Sequence, residues 1–425
     1  MRLVSVRDFA LGGAAGFLVA VVLGVVVLQF APIGGSEELE SGPLTILSGR
    51  DDSVGGQRQQ LVDLWNDSHP RNRAKIIPVD QVASGQYSEM IAQAQNPDTD
   101  IDIFNLDVTL TAAFAAPATG DPWIRPIEES WLAEKPRDAF MSNPLSTCFY
   151  QDKLWALPFN TDAGLLYYRT DAGLKPPFDW NKIKAAAAAH RDFAAGYTGQ
   201  FGDYEGLTVN VLEAAWATGV GFAVDQATGE VTLDLAAWNA LLHTLTPAPD
   251  GKWGLVHRHA LESEEIASRS TFQDGGVLFM RNWPVAYGSL QKADQKLKFA
   301  VTGLPGPSVL GGQNLAVSAR TERPRAAQAL VEFLTSQHSQ SILFERGGFA
   351  ATRAVVYAEE AVKTDHAYAP LLLTAITNAR LRPVSPNYVA FSEVFSDQVH
   401  QVLARERPDL PAGFAGQLTA ALRGK

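Results

Sequence analysis

The sequence predicts an α/β protein in which two separate sheets face each other, and three observations carry this prediction. Short apolar runs alternate with helical patterns from residue 44 onward, which favours mainly parallel sheets. The chain has 425 residues, more than one ordinary core accommodates, so two or three domains are expected. Two apolar runs also flank polar residues 160–162. Because Pro158 cannot donate to a central ladder, one sheet should end there, and another should begin near Leu165.

Composition argues against several classes of function. The formal net charge is −11 and no basic stripe is present, which disfavours nucleic acid as a partner. Cys148 is the single cysteine, so no internal disulfide can form, and we expect it to be a small buried residue. His257 and His259 lack a third ligand at useful spacing for a metal ion. The sequence therefore predicts neither a metal site nor a cofactor.

The N-terminus carries the clearest local signal. Residues 9–31 contain no charged residue. This apolar run is long enough to span a bilayer, which needs about 20 residues. Arginines precede this run and glutamates follow it, so residues 1–8 should be cytoplasmic and the body extracytoplasmic. A secretory signal peptide that is cleaved, releasing the body, is the alternative. The composition of residues 32–42 is typical of a short solvated linker.

The first half of the body follows a strand and helix alternation. Strands are predicted at residues 44–47, 74–79 and 101–106, with helical apolar stripes between them. In such sheets ligands lie beyond the carboxyl ends of the strands. The residues at those ends, and therefore the first candidates for a binding site, are Arg50, Asp51 and Asp107.

The second half continues the alternation with more helix. Asp179 should open an alanine-rich helix that runs to residue 190, and Asp234 should cap the next but one. Buried strands are predicted at residues 277–280, 298–304 and 315–317. The chain should end in helices, and the predicted segments include residues 324–334, 368–379 and 388–405.

Five motifs occur in an order that resembles family 1 of the extracellular solute-binding proteins, the sugar-binding components of ABC importers. They are LPFNTDAGLLYYR at 157–169, YEGL at 204–207, FMRNWP at 279–284, GGQNLAVS at 311–318 and RPVSPNY at 382–388. Each motif alone is weak, but the five in order span the chain from about residue 44 to its end. The resemblance is strongest to actinobacterial-type binders of di- and oligosaccharides.

The resemblance implies a two-lobed clamp of the periplasmic-binding-protein-like type II fold, with multiple crossings between the lobes. Lobe 1 would take residues 43–159 plus 304–338, and lobe 2 residues 160–303 plus 339–425. The implied partners are a sugar ligand in the cleft and the membrane permease of an ABC importer, and the implied state is a monomer. Two departures stand out: no cysteine for lipid attachment lies near the N-terminus, and Val285 occupies a position that is often aromatic in relatives.

The resemblance and the chemistry of sugars together suggest a binding site, since sugars offer hydroxyls and apolar ring faces. Carboxylates and amides would hydrogen-bond hydroxyls, aromatic rings would stack, and glycines would let the backbone approach. The predicted site residues are Arg50, Asp51, Asp107, Asn160, Asp162, Tyr204, Glu205, Trp283, Gly312, Gln313, Arg382 and Tyr388. Structural roles compete with these: Asp51 and Asp107 as helix caps, Trp283 as core, and Tyr388 as a helix staple.

Two other functions remain open on the sequence. A membrane-anchored glycosidase would use two of the carboxylates as acid and base, but no signature places them, and no Gly-x-Ser-x-Gly elbow exists. We therefore predict no catalytic residues and no enzyme. A degenerate receptor acting as a sensor or interaction module is the second alternative, and it predicts a blocked cleft.

Overall fold

A computed structural model describes residues 38–51, 55–79, 83–249, 252–293 and 297–425. The predicted anchor at residues 9–31 lies outside these residues, as do the predicted tail at 1–8 and most of the linker. Within the described residues, no helix is both long and apolar enough to cross a membrane.

Fourteen strands and sixteen α-helices make up this part of the chain. The strands are β1 (Leu44–Ser48), β2 (Ala74–Pro78), β3 (Ile103–Asp107), β4 (Phe149–Tyr150), β5 (Lys153–Leu154), β6 (Leu157–Ala163), β7 (Leu165–Arg169), β8 (Ala195–Thr198), β9 (Phe222–Val224), β10 (Val231–Leu233), β11 (Gly254–Val256), β12 (Val277–Asn282), β13 (Phe299–Gly303) and β14 (Leu310–Val317). The helices are α1 (Gln57–Ser68), α2 (Ala83–Gln95), α3 (Thr111–Ala115), α4 (Pro136–Ala139), α5 (Ser142–Ser146), α6 (Trp180–Ala189), α7 (Glu205–Thr218), α8 (Leu235–Leu245), α9 (Glu265–Gln273), α10 (Val285–Ala293), α11 (Pro324–Leu334), α12 (Gln337–Gly347), α13 (Glu360–Asp365), α14 (Ala369–Thr377), α15 (Tyr388–Leu403) and α16 (Phe414–Leu422).

Two five-stranded sheets organise the molecule. The first has the strand order β2-β1-β3-β14-β6, and the second has the order β11-β8-β12-β7-β13. Separate hydrophobic cores form around them: one is built from β1, β3 and α11, and another from α7, α8 and α15. The chain is therefore a two-lobed α/β protein, while the exact lobe boundaries stay a prediction.

The sheets are mixed, so the prediction of mainly parallel sheets was wrong. In the first sheet β1 pairs parallel with β2 and β3, whereas β14 pairs antiparallel with β3 and β6. In the second, β8 pairs parallel with β11 and β12, whereas β7 pairs antiparallel with β12 and β13. Helical crossovers explain the parallel pairs. Strands β6, β7 and β14 instead belong to segments that pass between the lobes, and the alternation rule does not describe them.

The first sheet also extends further than the sequence predicted. Strand β6 runs through Pro158 and the polar residues after it, and only Gly164 separates β6 from β7. Pro158 is tolerated because β6 is an edge strand of the sheet. The polar residues 160–162 consequently lie within a strand, just after a bulge in its ladder, and pairing with β14 fixes their positions.

Two predicted helix starts are confirmed. The Asp179 carboxylate accepts a hydrogen bond from the Lys182 N–H at 2.8 Å at the start of α6. Asp234 accepts from the N–H groups of Ala236 and Ala237 at the start of α8. Both contacts satisfy backbone donors that a helix leaves unpaired at its first turn.

Candidate functional site

A cleft of about 480 Å³ lies between the two lobes and collects the predicted site residues. All of them line it except Asp51 and Tyr388, and both lobes contribute. From the first lobe come residues of β3, α1 and α2. From the second come residues at the starts of α7, α9 and α10.

Strand pairing places three of the polar groups in one row across the first sheet. Gln313 in β14 is opposite Asp107 in β3 on one side and opposite Asn160 in β6 on the other. Residues that face each other across a ladder have closely spaced side chains. The row therefore forms one polar wall of the cleft.

Arg382 bridges the lobes at one end of the cleft. Its guanidinium is 4% exposed and pairs with Glu205 at the start of α7 and, at 3.4 Å, with Asp107 at the end of β3. It also donates to the Leu310 carbonyl at 3.3 Å. Although burial alone would lower the pKa of Arg382, Asp107 and Glu205 together raise it well above its ordinary value. One arginine thus holds carboxylates from both lobes.

Glu205 is the most heavily supported carboxylate of the site. Besides Arg382, it accepts a hydrogen bond from the Tyr388 hydroxyl at 2.7 Å and another from the Ser392 hydroxyl. Burial raises the pKa of Glu205, and Arg382, Ser392 and Tyr388 oppose that rise. Tyr388 is 1% exposed and acts on the cleft through Glu205, so it is a positioning residue.

Asp162 differs from Glu205 in its partners. Its carboxylate accepts a hydrogen bond from the Asn160 amide at 3.2 Å. Burial raises the pKa of Asp162 to about 7, although Arg58, Arg281 and Asn160 act to lower it. At neutral pH, Asp162 is therefore close to its midpoint and can either donate or accept a proton in a hydrogen bond.

Two glycines let β14 and β6 approach closely beneath the cleft. Gly312 has φ of 127°, and a Cβ there would lie 2.3 Å from the Asn160 carbonyl oxygen. A Cβ at Gly311 would lie 3.1 Å from the Trp283 ring and 3.3 Å from the Asp162 Cβ. Glycine is a steric requirement at 312, whereas a Cβ at 311 would press on the Trp283 ring.

Trp283 and Tyr204 supply the aromatic surface of the second lobe. The Trp283 indole is half-buried, packs against the Arg281 guanidinium at 3.8 Å from the ring centroid, and donates to the Glu265 carboxylate at 3.3 Å. The Tyr204 ring lies directly over Gly206, where a Cβ would be 2.2 Å from the phenol oxygen. Packing of the Tyr204 ring thus explains why glycine follows Glu205 in this motif.

Behind Trp283, a buried ion pair ties the interlobe segments together. Arg281 and Glu213 are 1% and 5% exposed and make two hydrogen bonds of 2.8 Å. Glu213 also accepts from the Ser308 hydroxyl and the Val309 N–H, and the Ser308 hydroxyl oxygen accepts from the Gly164 N–H at 2.6 Å. Through these bonds the pair is linked to Gly164, between β6 and β7, and to the residues just before β14, where the chain passes between the two sheets.

Arg50 and Asp51 contribute less than their place in the sequence suggested. Arg50 is exposed at the cleft rim. Asp51 accepts a hydrogen bond from the Arg58 N–H at 2.9 Å, at the first turn of α1. The helix-cap interpretation, which the sequence left open for Asp51, matches this contact.

Sequence reasoning missed several polar residues that line the cleft, among them Arg58, Asn105 and Glu265. Asn105 donates to Gln313 at 3.3 Å and lies two residues before Asp107 on the same strand. Side chains two residues apart share a face of a strand, so the position of Asn105 relative to Asp107 could have predicted that it lines the cleft. Arg58 donates to Gln313 and to the Gly49 carbonyl, and Glu265 opens α9, but neither lay in a motif that pointed to the site.

The other titratable candidates take no part in the cleft. Cys148 is fully buried, and burial raises the pKa of its thiol. Among the described residues, no group of three metal-ligating side chains could hold a metal ion. What the cleft offers chemically is a set of hydrogen-bonding groups beside aromatic and apolar surface.

Comparison with known proteins agrees with this geometry. The family model for bacterial extracellular solute-binding proteins matches residues 73–370. A curated relative, a probable ABC transporter-binding protein of Deinococcus radiodurans, is 30% identical over 409 residues, covering 88% of this chain and 93% of the relative.

Solved structures are also similar across most of the chain. Maltose-bound MalE3 of T. maritima has a TM-score of 0.78 and 25% identity, covering 90% of this chain and 99% of that one. The GacH receptor of Streptomyces glaucescens, solved unliganded and with acarbose, has a TM-score of 0.75 and 22% identity, covering 91% and 98%.

These similarities confirm the predicted family and separate binding from catalysis. The family is one of solute-binding proteins, so the glycosidase alternative is set aside and the protein is not an enzyme. The chain belongs to the bacterial extracellular solute-binding protein family, and it has that family's two-lobed architecture.

Proposed function

We propose that this protein is the extracytoplasmic receptor of an ABC importer, and that it binds a di- or oligosaccharide in the interlobe cleft. The relatives support this proposal, since one is a probable ABC transporter-binding protein and two similar structures hold maltose or acarbose. On this proposal the protein works as a monomer that hands its ligand to a membrane permease. Residues 9–31 would tether it to the membrane, or act as a signal for secretion.

The observation that carries the proposal is the polar character of the cleft wall. Asn105 and Asn160 are 2% and 4% exposed, and the Oδ1 atom of each has no hydrogen-bond partner among the described residues. Buried polar atoms are normally paired, so each such acceptor fits a ligand donor. Sugar hydroxyls are donors that Asn105, Asn160 and Asp162 can all use.

The aromatic and apolar groups complete the match to a sugar. Trp283 and Tyr204 line one side of the cleft, and Met90 and Leu110 line the other. Sugar rings carry apolar C–H faces that pack against aromatic rings, while their edges hydrogen-bond. A ligand with both kinds of surface suits this cleft better than a purely apolar one or a simple ion.

The interlobe segments support binding by closure. Gly164 separates β6 from β7, and residues 304–309 separate β13 from β14, so the backbone crosses between the sheets at neighbouring points. Rotation about such points is hinge closure, which buries a ligand between two rigid bodies. A cleft of about 480 Å³ is also open enough to argue against a degenerate receptor with a blocked site.

Isothermal titration calorimetry of the body, residues 38–425, against a panel of di- and oligosaccharides tests the proposal. We expect at least one saccharide to bind, and the Trp283→Ala variant to lose about tenfold or more of that affinity. Trp131→Ala is the matched control, because Trp131 packs against Arg325 outside the cleft. Absence of binding by every saccharide, or equal binding by both variants, would contradict the proposal.

A further inference from the structure

We infer that the preferred ligand is a saccharide bearing a basic nitrogen, rather than a neutral or an acidic one. This inference deepens the proposed function and rests on it. It follows from how the charges of the cleft are paired, because two carboxylates there face the ligand space without a cation.

The arginines of the cleft interior are already engaged with protein groups. Arg382 contacts Asp107 and Glu205 from opposite lobes. Arg58 donates to Gln313, to the Gly49 carbonyl at 3.2 Å and to the Ser48 hydroxyl at 3.3 Å. Carboxylates neutralise Arg382, and neutral groups of β1, Gly49 and β14 orient the Arg58 guanidinium, so both guanidinium groups already have protein partners.

Asp162 has no such cation. Among the described residues, no lysine or arginine nitrogen lies within 4.0 Å of its carboxylate, which accepts a hydrogen bond from the Asn160 amide at 3.2 Å. The side chain lines the cleft, and its Cβ and the Trp283 ring both lie close to Gly311. Its negative charge is therefore compensated only at a distance.

Glu265 is the second carboxylate of this kind. It accepts from the Trp283 indole N–H at 3.3 Å and makes no ion pair with a described lysine, arginine or histidine. Glu265 is also the first residue of α9, where the helix dipole stabilises a negative charge. It lies at the edge of the aromatic surface where a sugar would stack.

An independent sign of a ligand lies beside Asp162. Asn160 is 4% exposed, lines the cleft, and leaves its Oδ1 atom without a partner within the described part of the chain. An ammonium group has donors and no acceptor, so it can use Asn160 Oδ1 and the Asp162 carboxylate together. A hydroxyl has one proton and can satisfy only one of these acceptors.

Closure of the two lobes strengthens the preference for a ligand that carries a basic nitrogen. When the lobes exclude water, an uncompensated carboxylate becomes more costly, and a cation placed beside it removes that cost. With a neutral sugar, Asp162 and Glu265 have no cation from the described part of the chain within ion-pair distance, so burial favours the protonated form of Asp162. A uronic acid would instead add a further negative charge beside them. Charge-assisted hydrogen bonds to an ammonium are also stronger than neutral ones.

Calorimetry at pH 7.0 and low salt, on residues 38–425, tests this with matched ligands. The panel contains maltose, cellobiose and trehalose, with the aminodeoxy and uronic acid counterpart of each. For whichever linkage binds, we expect the amine to bind about tenfold tighter than the neutral sugar, and the acid to bind most weakly. In an Asp162→Asn/Glu265→Gln double variant, the ratio of amine to neutral affinity should fall below about threefold.

The outcomes separate this inference from the proposed function. A neutral saccharide that binds as tightly as its amine counterpart overturns the inference and leaves the receptor proposal standing. An unchanged affinity ratio in a folded double variant overturns it as well, and far-ultraviolet circular dichroism establishes the folding. Failure of every saccharide to bind contradicts the proposed function and the inference with it.

Discussion

Two arginine networks border the cleft, and they differ in what each one joins. Arg281 pairs with Glu213 inside the second lobe, and both side chains are at most 5% exposed. Arg382 pairs with Glu205 and Asp107 across the lobes, and those carboxylates are 12% and 32% exposed. Both members of the first network are buried, whereas the carboxylates of the second are partly exposed. We therefore expect Arg281 to fix the geometry of the site and Arg382 to take part in opening and closing of the lobes.

Breaking the buried pair of Arg281 and Glu213 should have the largest effect on stability. Glu213→Ala removes the partner of a buried guanidinium and frees the Ser308 hydroxyl, so we expect the free energy of unfolding to fall by about 3–5 kcal/mol. Urea unfolding followed by circular dichroism measures this. The exposed Glu230→Ala is the control, with a change within about 0.5 kcal/mol. A loss under about 1 kcal/mol for Glu213→Ala would show that the two networks do not differ as argued.

Breaking the interlobe bridge should cost less stability. Arg382→Ala leaves Glu205 with Tyr388 and Ser392, and it leaves Asp107 with Thr109, so the loss should be about 1–3 kcal/mol. Small-angle X-ray scattering of the unliganded protein should show a larger radius of gyration in this variant. Glu213→Ala, measured under conditions where it is folded, should not expand in this way. Equal expansion in both would remove the distinction between the networks.

A third prediction concerns pH and Asp162. Because the pKa of Asp162 rises from 3.8 to about 7 on folding, the folded state binds the proton more tightly. Its contribution to stability is present below pH 4 and is lost as the pH rises to about 7. Asp162→Asn should therefore stabilise the protein relative to the parent by about 1–3 kcal/mol more at pH 8 than at pH 5.

Urea unfolding at both pH values measures this difference. Asp138→Asn, which removes an exposed carboxylate on α4, is the control variant at both pH values. A parent and an Asp162→Asn variant with the same pH dependence would mean that Asp162 is not held in a desolvated site.

The smallest effect is expected at Arg50. The sequence predicted both Arg50 and Arg382 as site residues, but Arg50 is exposed at the rim. Arg50→Ala should change saccharide affinity by less than about threefold, since exposed charges contribute little to binding or stability. Calorimetry checks this. A tenfold loss would show that the rim arginine closes over the ligand.

Local sequence signals predicted much of the fold because they act over short distances. Asp179 and Asp234 cap their helices as predicted, and strands β1, β2 and β3 lie where apolar runs placed them. The direction of the pairing between β14 and its neighbours was missed, since it depends on long-range topology that alternation does not encode. The course of β6 through Pro158 depends on its being an edge strand, which no local pattern reveals.

The candidate site shows the same division. Asp107, Asn160 and Gln313 were predicted from separate motifs, and the ladder of the first sheet brings them into one row. Arg58 and Glu265 were missed because their role depends on which groups lie across the cleft. Their binding roles, like those of the other predicted site residues, stay a prediction that only a ligand can test.

A crystal structure of residues 38–425 with the saccharide that binds most tightly would test the central claim most directly. Our account predicts the sugar in the interlobe cleft, with a donor within hydrogen-bond distance of Asp162 and a ring against Trp283. A sugar bound outside the cleft, or one that leaves both residues uncontacted, would contradict it.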